Sequence, residues 1–190
     1  MPKPDLNRFY PLNIAVLTVS DSRSCDNDSS GDLLSDSLVQ AGHKLAARSL
    51  LPNNKYTLRA LLSHWIASSN IQIILINGGT GYAKGNCTIE AITPLLDLQV
   101  PGFGELFRQL SFSQLGSAAM QSAAVSGIAN DTLLFAMPGS GSACTLAMQQ
   151  LILPQLDAQT GPCNFVAHIK NSPSKSCGGW YDSSKPCYTF

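Results

Sequence analysis

Three short stretches of the 190-residue chain combine bare backbone with groups that can hold an anion. The segment "VSDSR" (19–23) sets a hydroxyl (Ser20), a carboxylate (Asp21) and a cation (Arg23) close together. In "NGGTG" (77–81), Gly78, Gly79 and Gly81 carry no side chain, so backbone N–H groups can approach an anion, and Thr80 adds a hydroxyl. In "MPGSGS" (137–142), Pro138 fixes a turn, Gly139 and Gly141 keep it open and Ser140 supplies a hydroxyl. The helix expected after it would turn its partial positive end toward the same region. Two such loops on one sheet edge suit a phosphorylated ligand. Each stretch alone also fits an ordinary turn, so the chemistry depends on their coming together.

Familiar nucleotide fingerprints are missing. No G-x-x-x-x-G-K-[ST] can be built from "GGTGYAKGN", and "GSGSAC" ends in Cys144 where the dinucleotide pattern wants glycine or alanine. Cys25, Cys87, Cys144, Cys163, Cys177 and Cys187 are widely spread and none has zinc-knuckle spacing, so free thiols and no structural metal are expected. His64 reads as a helix-face residue and His168 as a surface or interface residue.

The elements that must position these loops alternate between apolar runs and helical periodicity, the pattern of an α/β domain with a mostly parallel central sheet. "LNIAVLTV" (12–19) is apolar on both faces, as a central strand is, and delivers "VSDSR". A helix starting near Ser30 or Gly31 and stopping at Gly42 follows, then a strand "HKLAARSLL" and a helix "KYTLRALLSHWIASS". The strand "IQIILIN" (71–77) leads into the glycine loop, and open α/β sheets bind ligands at such strand ends. "TIEAITPLLDL" reads as one helix, and "PGFGELFRQLSFSQLGSAAMQ" as helical pieces punctuated by glycine. Phe103, Leu106, Phe107 and Leu110 form an apolar stripe there, suited to core or subunit packing. "SAAVSGIANDTLLFAMPGS" reads as two strands around the turn "AND", and the last helix is interrupted or ended near Pro154.

Charged residues make up 13% of the chain and the formal net charge is zero, which argues against nucleic acid or a membrane surface as partner. No apolar run reaches a membrane span and no secretory core opens the chain, so a cytoplasmic protein is expected. The expected organisation is an N-terminal arm (1–11), one domain (12–170) and a flexible Ser/Gly/Pro-rich tail (171–190).

Taken in order, "LTVSDSR", "GGTG", "PGFGELFRQLSF", "LFAMPGS" and "LILPQLDAQTGPCNF" strongly resemble the molybdenum cofactor biosynthesis protein B family (MoaB), sister to the molybdopterin adenylyltransferases of MogA type. The resemblance covers roughly residues 12–170. It implies the molybdopterin-binding, MogA-like, three-layer α/β/α fold and a homo-oligomer, either a trimer or a hexamer built as a dimer of trimers. Active relatives transfer AMP from Mg-ATP to the terminal phosphate of molybdopterin. By motif, Gly78, Gly79, Thr80 and Gly81 would meet the pterin phosphate, Ser20 and Asp21 would line the pocket, and Pro138, Gly139 and Ser140 would form the other ligand loop.

The chain departs from the active pattern at two places. The adenylyltransferases carry one aspartate in an "RRDVTP" stretch and another in a "P-D-[DE]" turn, both serving metal and nucleotide; here "KGNCTI" and "LPNNK" give Asn86 and Asn53. An amide keeps the carboxylate's shape but carries no charge and cannot act as a base. The expectation is a molybdopterin-binding protein with little or no adenylyltransferase activity and no tightly bound cofactor. The alternative is an active Mg-ATP-dependent transferase, in which Asp21, Asp26, Asp28 or Glu90 would have to hold the magnesium; Asp26 and Asp28 read as solvated acids of a flexible loop.

Overall fold

The computed structural model describes residues 8–170. The expected tail and all but the last few residues of the expected arm therefore lie outside the described residues. Strands β1 (Asn13–Val19), β2 (Lys44–Leu51), β3 (Ile73–Asn77), β4 (Leu98–Gln99), β5 (Val125–Ala129) and β6 (Thr132–Met137) form one sheet in the order β2-β1-β3-β6-β5-β4. β1 runs parallel to β2 and β3, and β3 parallel to β6; β5 is antiparallel to both β6 and β4.

Alternation along the central strands builds two apolar layers. Ile14 and Val16 of β1, Ile73 and Leu75 of β3, and Leu133 and Phe135 of β6 face one side. There they meet Leu34 and Leu38 of α1 (Ser29–Gln40), Phe103 and Phe107 of α4 (Pro101–Leu115) and Cys144 and Ala147 of α5 (Gly141–Ala147). Ala15 and Leu17, Ile74 and Ile76, and Leu134 and Ala136 face the other side. Their partners are Leu58, Leu62 and Trp65 of α2 (Lys55–Ala67) and Ala91 and Ile92 of α3 (Thr88–Ile92). The sheet is thus a filled middle layer, and the chain reverses its direction of winding between β1 and β3. Ligand clefts form at such a switch point, outside the carboxyl ends of the strands.

The helix ends agree with the sequence expectation near Ser30 and Pro154, and two details differ, in the stretch 88–98 and in α4. α1 begins at Ser29, capped by Asp28, whose side chain accepts from the Gly31 amide. The stretch 88–98 is not one helix: α3 ends at Ile92, a 3-10 turn spans Thr93–Leu95 with Pro94 inside it, and β4 follows. α4 is continuous through Gly102 and Gly104. A Cβ at Gly104 would stand 2.5 Å from the Ala124 carbonyl, so that glycine lets the helix lie against the start of β5. The final helix holds π-type turns over Met148–Ile152 before the short α6 (Leu153–Gln155) that contains Pro154. The "AND" turn is as expected: Asn130 and Asp131 both take positive φ (45° and 57°), as a two-residue hairpin requires. Among the described residues no helix is long and apolar enough to cross a membrane.

Candidate functional site

β1, β3 and β6 are neighbours in the sheet and their carboxyl ends carry the three loops singled out above. Apolar ladders hold the strands in register, so Thr18 pairs with Asn77 and Asn77 with Met137, and the loops leave the sheet at one level. They touch. A Cβ built on Gly139 would stand 3.0 Å from the Gly78 Cα, and the Arg23 guanidinium donates through Nη2 to the Gly139 carbonyl at 3.1 Å.

The glycine loop is shaped first by the protein around it. Gly78 (φ 90°) passes so close to β1 that a Cβ would lie 2.3 Å from the Val19 carbonyl oxygen. Gly79 (φ 62°) would place one 2.4 Å from both Asn53 Oδ1 and Thr88 Oγ1. Thr88, at the start of α3, donates its hydroxyl to the Gly78 carbonyl (2.8 Å) and its amide to the Gly79 carbonyl (3.0 Å). Two of the loop carbonyls are thereby turned inward. Gly81 differs: it is exposed, with ordinary φ, and its open side looks toward Asn86 Nδ2 at 3.1 Å from a would-be Cβ. A cleft of about 320 Å3 lies here, lined by Gly79, Thr80, Gly81, Tyr82, Asn86 and Glu90 among others.

Beside this cleft stands the pair that the two asparagine substitutions make most informative. Asp21 accepts from the Asn53 backbone amide (2.8 Å) and from Asn53 Nδ2 (2.9 Å), using both carboxylate oxygens. These two donors, the backbone one first, hold the Asp21 carboxyl below its usual range. Asn53 Oδ1 is buried against Gly79 with no hydrogen-bond partner among the described residues. Asn86 is half-buried, and its amide closes a turn onto the Ala83 carbonyl (3.1 Å). Glu90 pairs with Lys55, which lowers its pKa. The Cys87 thiol is pushed up by partial burial and by the Glu90 and Asp21 charges.

Ser20 serves the local turn: its hydroxyl accepts from the amides of Ser22 (3.3 Å) and Arg23 (3.2 Å). Ser140 caps α5, accepting from the Ala143 amide at 3.3 Å, and so already uses one donor of the helix start. Pro138 and Ser140 line a second cleft of about 240 Å3, walled also by Phe107, Ser111 and Leu146. The segment 121–123 stands between the two clefts: Gln121 and Ser122 face the second, Ala123 the first. A third cavity of about 310 Å3, between α4 and Pro154, is lined by Phe103, Leu106, Phe135 and Leu151, and lacks the convergent polar groups of a specific ligand site.

The structure corrects the expectation for Asp28. Far from being solvated, it is 1% exposed and accepts from Thr18 Oγ1 (2.7 Å), the Gly31 amide (3.0 Å), Arg48 Nη2 (3.0 Å) and Arg23 Nη1 (3.3 Å). Burial alone would raise its pKa, but the hydroxyl, amide and guanidinium donors outweigh it and the carboxyl titrates below its ordinary range. Asp28 standing immediately before a helical apolar period was the available signal, because aspartate is a favoured N-cap. Thr18, Ser30, Asn77 and Thr88, which sequence reading also passed over, carried none. Among the described residues no three His, Cys, Asp or Glu side chains are grouped to hold a metal ion. Cys25, Cys87, Cys144 and Cys163 are free thiols.

A three-layer α/β/α domain with paired glycine loops at the switch point defines a class, and a family model described as "Probable molybdopterin binding domain" matches residues 15–158. The chain is 51% identical over 162 residues to molybdenum cofactor biosynthesis protein B of Escherichia coli strain K12, covering 85% of this chain and 95% of that protein. It is 44% identical over 142 residues to the protein of that name from Bacillus subtilis strain 168, covering 74% and 84%. A crystal structure of molybdenum cofactor biosynthesis protein B superposes with a TM-score of 0.76 at 39% identity, over 80% of this chain and 94% of that one. The tungsten cofactor synthesizing protein MoaB of Pyrococcus furiosus gives 0.66 at 29% identity, over 73% and 89%. The chain belongs to the molybdenum cofactor biosynthesis protein B family.

Proposed function

We propose that this chain binds the terminal phosphate of molybdopterin in the cleft beside Gly79, Thr80 and Gly81 and carries out little or no adenylyl transfer. The Asn53–Asp21 pair is the observation that carries this reading. An aspartate at position 53 would face Asp21 with a second carboxylate, an arrangement that needs a cation or a shared proton between the two. Asn53 instead points an N–H at Asp21 and satisfies it without either. The acids near the loops do not fit a magnesium site: Asp21 is taken by Asn53, Asp28 is enclosed by four donors, Glu90 is paired with Lys55, and the exposed Asp26 belongs to no group of three metal-ligating side chains among the described residues. Magnesium is held chiefly by carboxylates and phosphates, so the protein's share of such a site is weak here.

What the residues do is bind and orient. The glycine loop is locked by Thr88, which fixes the backbone that an anion would meet, and Gly81 leaves the cleft open. The same reading includes a homo-oligomer, because Phe112 (62% exposed) and Met120 (78%) line one open apolar hollow at the end of α4 and the turn after it, with Leu115 (56%) exposed nearby in sequence. It also includes the cytoplasm, which suits four free thiols.

Anaerobic fluorescence titration with molybdopterin, with and without magnesium, tests the binding half. Saturable binding that does not need magnesium is expected, and Gly81→Val, which fills the cleft at a position of ordinary φ, should weaken it at least ten-fold. Absence of saturable binding, or equal affinity in the variant, would refute the assignment.

A further inference from the structure

Of the groups near the two clefts, the most heavily bonded takes no part in the reading above. Asp28 lies under the loops, 1% exposed. From its carboxylate one chain of contacts runs to each loop. Toward the glycine loop, Thr18 donates to Asp28 Oδ2 at 2.7 Å, and Asn77 Nδ2 donates to Thr18 Oγ1 at 2.9 Å. Asn77 is fully buried and immediately precedes Gly78. Toward the other loop, Arg23 Nη1 donates to Asp28 Oδ1 at 3.3 Å while its Nη2 donates to the Gly139 carbonyl at 3.1 Å. Ser30, two residues after Asp28, donates its hydroxyl to that same carbonyl at 2.7 Å.

These contacts have a geometry that a set of ordinary loop bonds would lack. The planar guanidinium spans two partners on different loops with a fixed fork, which a single ammonium cannot copy. The Gly139 carbonyl is turned inward by two donors, so the opposite edge of its peptide unit faces the clefts. Asn77 Oδ1 is buried without a partner among the described residues, 3.7 Å from where a Gly139 Cβ would stand, so the glycine loop's own root abuts the loop that Arg23 holds. Arg48 supplies the second cation that Asp28 needs and is tied in turn to Asp32 at 2.6 Å, which leaves Arg23 free to serve Gly139.

We infer that Asp28 and Arg23 are positioning residues: a strut, Asn77–Thr18–Asp28–Arg23–Gly139, buried at its first three members and partly buried at the last two, sets the separation of the two ligand loops and hence the affinity of the cleft. The inference rests on the proposed binding of molybdopterin only for its effect on affinity; the strut itself makes a claim about the empty protein.

The test uses the full chain and the variants Asp28→Asn, Arg23→Met and Arg23→Lys, read by amide hydrogen exchange and by anaerobic molybdopterin titration. Asp28→Asn keeps an acceptor for Thr18 and leaves the Arg23 charge in place. Charge-assisted bonds of this kind correspond to about a ten-fold effect or more. Exchange at Ala143 and Cys144, whose amides bond to Ser140 at 3.3 and 3.0 Å, should therefore quicken roughly ten-fold in all three variants, with the β1 and β3 amides little changed. Molybdopterin affinity should fall by a similar factor in each, the double variant Asp28→Asn/Arg23→Met being no weaker than the weaker single. Arg23→Lys should not rescue, because one ammonium cannot span both partners. Unchanged exchange at Ala143 and Cys144 would overturn the strut whether or not molybdopterin binds. If Arg23 instead met the ligand directly as a cation, Asp28→Asn would leave affinity equal or raise it, and that result would also overturn the inference. A wild-type chain that binds no molybdopterin would refute the proposed function alone, and the exchange data would still decide the strut.

Discussion

Replacing Gly79 by alanine should destabilise this protein markedly, and the structure gives the size of the effect. At φ 62° the alanine would sit in the left-handed region, at a cost of about 1–2 kcal/mol. Its methyl would also meet Thr88 Oγ1 and Asn53 Oδ1 at 2.4 Å, far inside contact distance, so both side chains must move. Moving Thr88 breaks its buried bond to the Gly78 carbonyl, worth about 1 kcal/mol. The sum is roughly 3 kcal/mol, or about 6–12 °C in Tm for a domain of this size. Two controls separate the causes. Gly85→Ala carries the unfavourable φ (104°) with nothing within 4 Å, and should show only the backbone part. Gly102→Ala, in α4 with nothing within 4 Å, should be neutral or stabilise by up to about 1 kcal/mol. Thermal melts followed by circular dichroism suffice. A Gly79→Ala protein melting within about 2 °C of the wild type would show that the loop does not pack on Asn53 and Thr88 as described.

Two other predictions concern groups remote from the glycine loop. His43 is buried and accepts through Nδ1 from the Leu12 amide at 3.3 Å. Burial lowers its pKa from 6.5, with Asp157 opposing the shift only in part. A depressed folded pKa means that the stability His43 contributes is complete above 6.5 and is lost as pH falls through the folded value. Urea midpoints should therefore drop between pH 7 and 5, and drop less steeply in His43→Gln; parallel profiles would contradict the assignment. Burial likewise pushes the Cys144 thiol up to about 11, whereas Cys25 and Cys163 are exposed. With an aromatic disulfide reagent, peptide mapping should find Cys25 and Cys163 modified in the native protein and Cys144 only after unfolding; comparable rates would be inconsistent with its place in the core.

Much of this architecture can be read in the sequence because burial on both faces leaves a plain signature. β1 and β3 are continuous apolar runs ending in glycine or small polar residues, and their order with the intervening helices specifies a parallel sheet and its switch point. The antiparallel edge is not legible: β4 has two residues, too few for any period, and it follows a proline turn inside what reads as one helix. In α4 the glycines suggest breaks, but Gly104 serves a close approach to Ala124 that only tertiary structure reveals. At the site, composition singles out three loops that the fold brings together, but not the packing that shapes them. Gly78 and Gly79 are bare because Val19, Asn53 and Thr88 crowd them, and Ser140 is occupied with capping α5. The strut beneath depends on contacts between residues far apart in the chain, such as Arg23 with Gly139 and Arg48 with Asp28, and no local pattern encodes them.

AMP transfer from Mg-ATP to molybdopterin, measured beside the Asn53→Asp/Asn86→Asp variant under conditions where both proteins bind molybdopterin, tests the central claim most directly. Removal of one general acid or base typically lowers a rate by about 10²- to 10⁴-fold, so two amides in place of two carboxylates should leave the natural chain with little or no product. The account predicts binding without turnover in the natural chain and a gain of transfer in the double variant. Efficient turnover by the natural chain would contradict it, because the Asn53–Asp21 pair would then be compatible with the metal and nucleotide chemistry it is held here to silence.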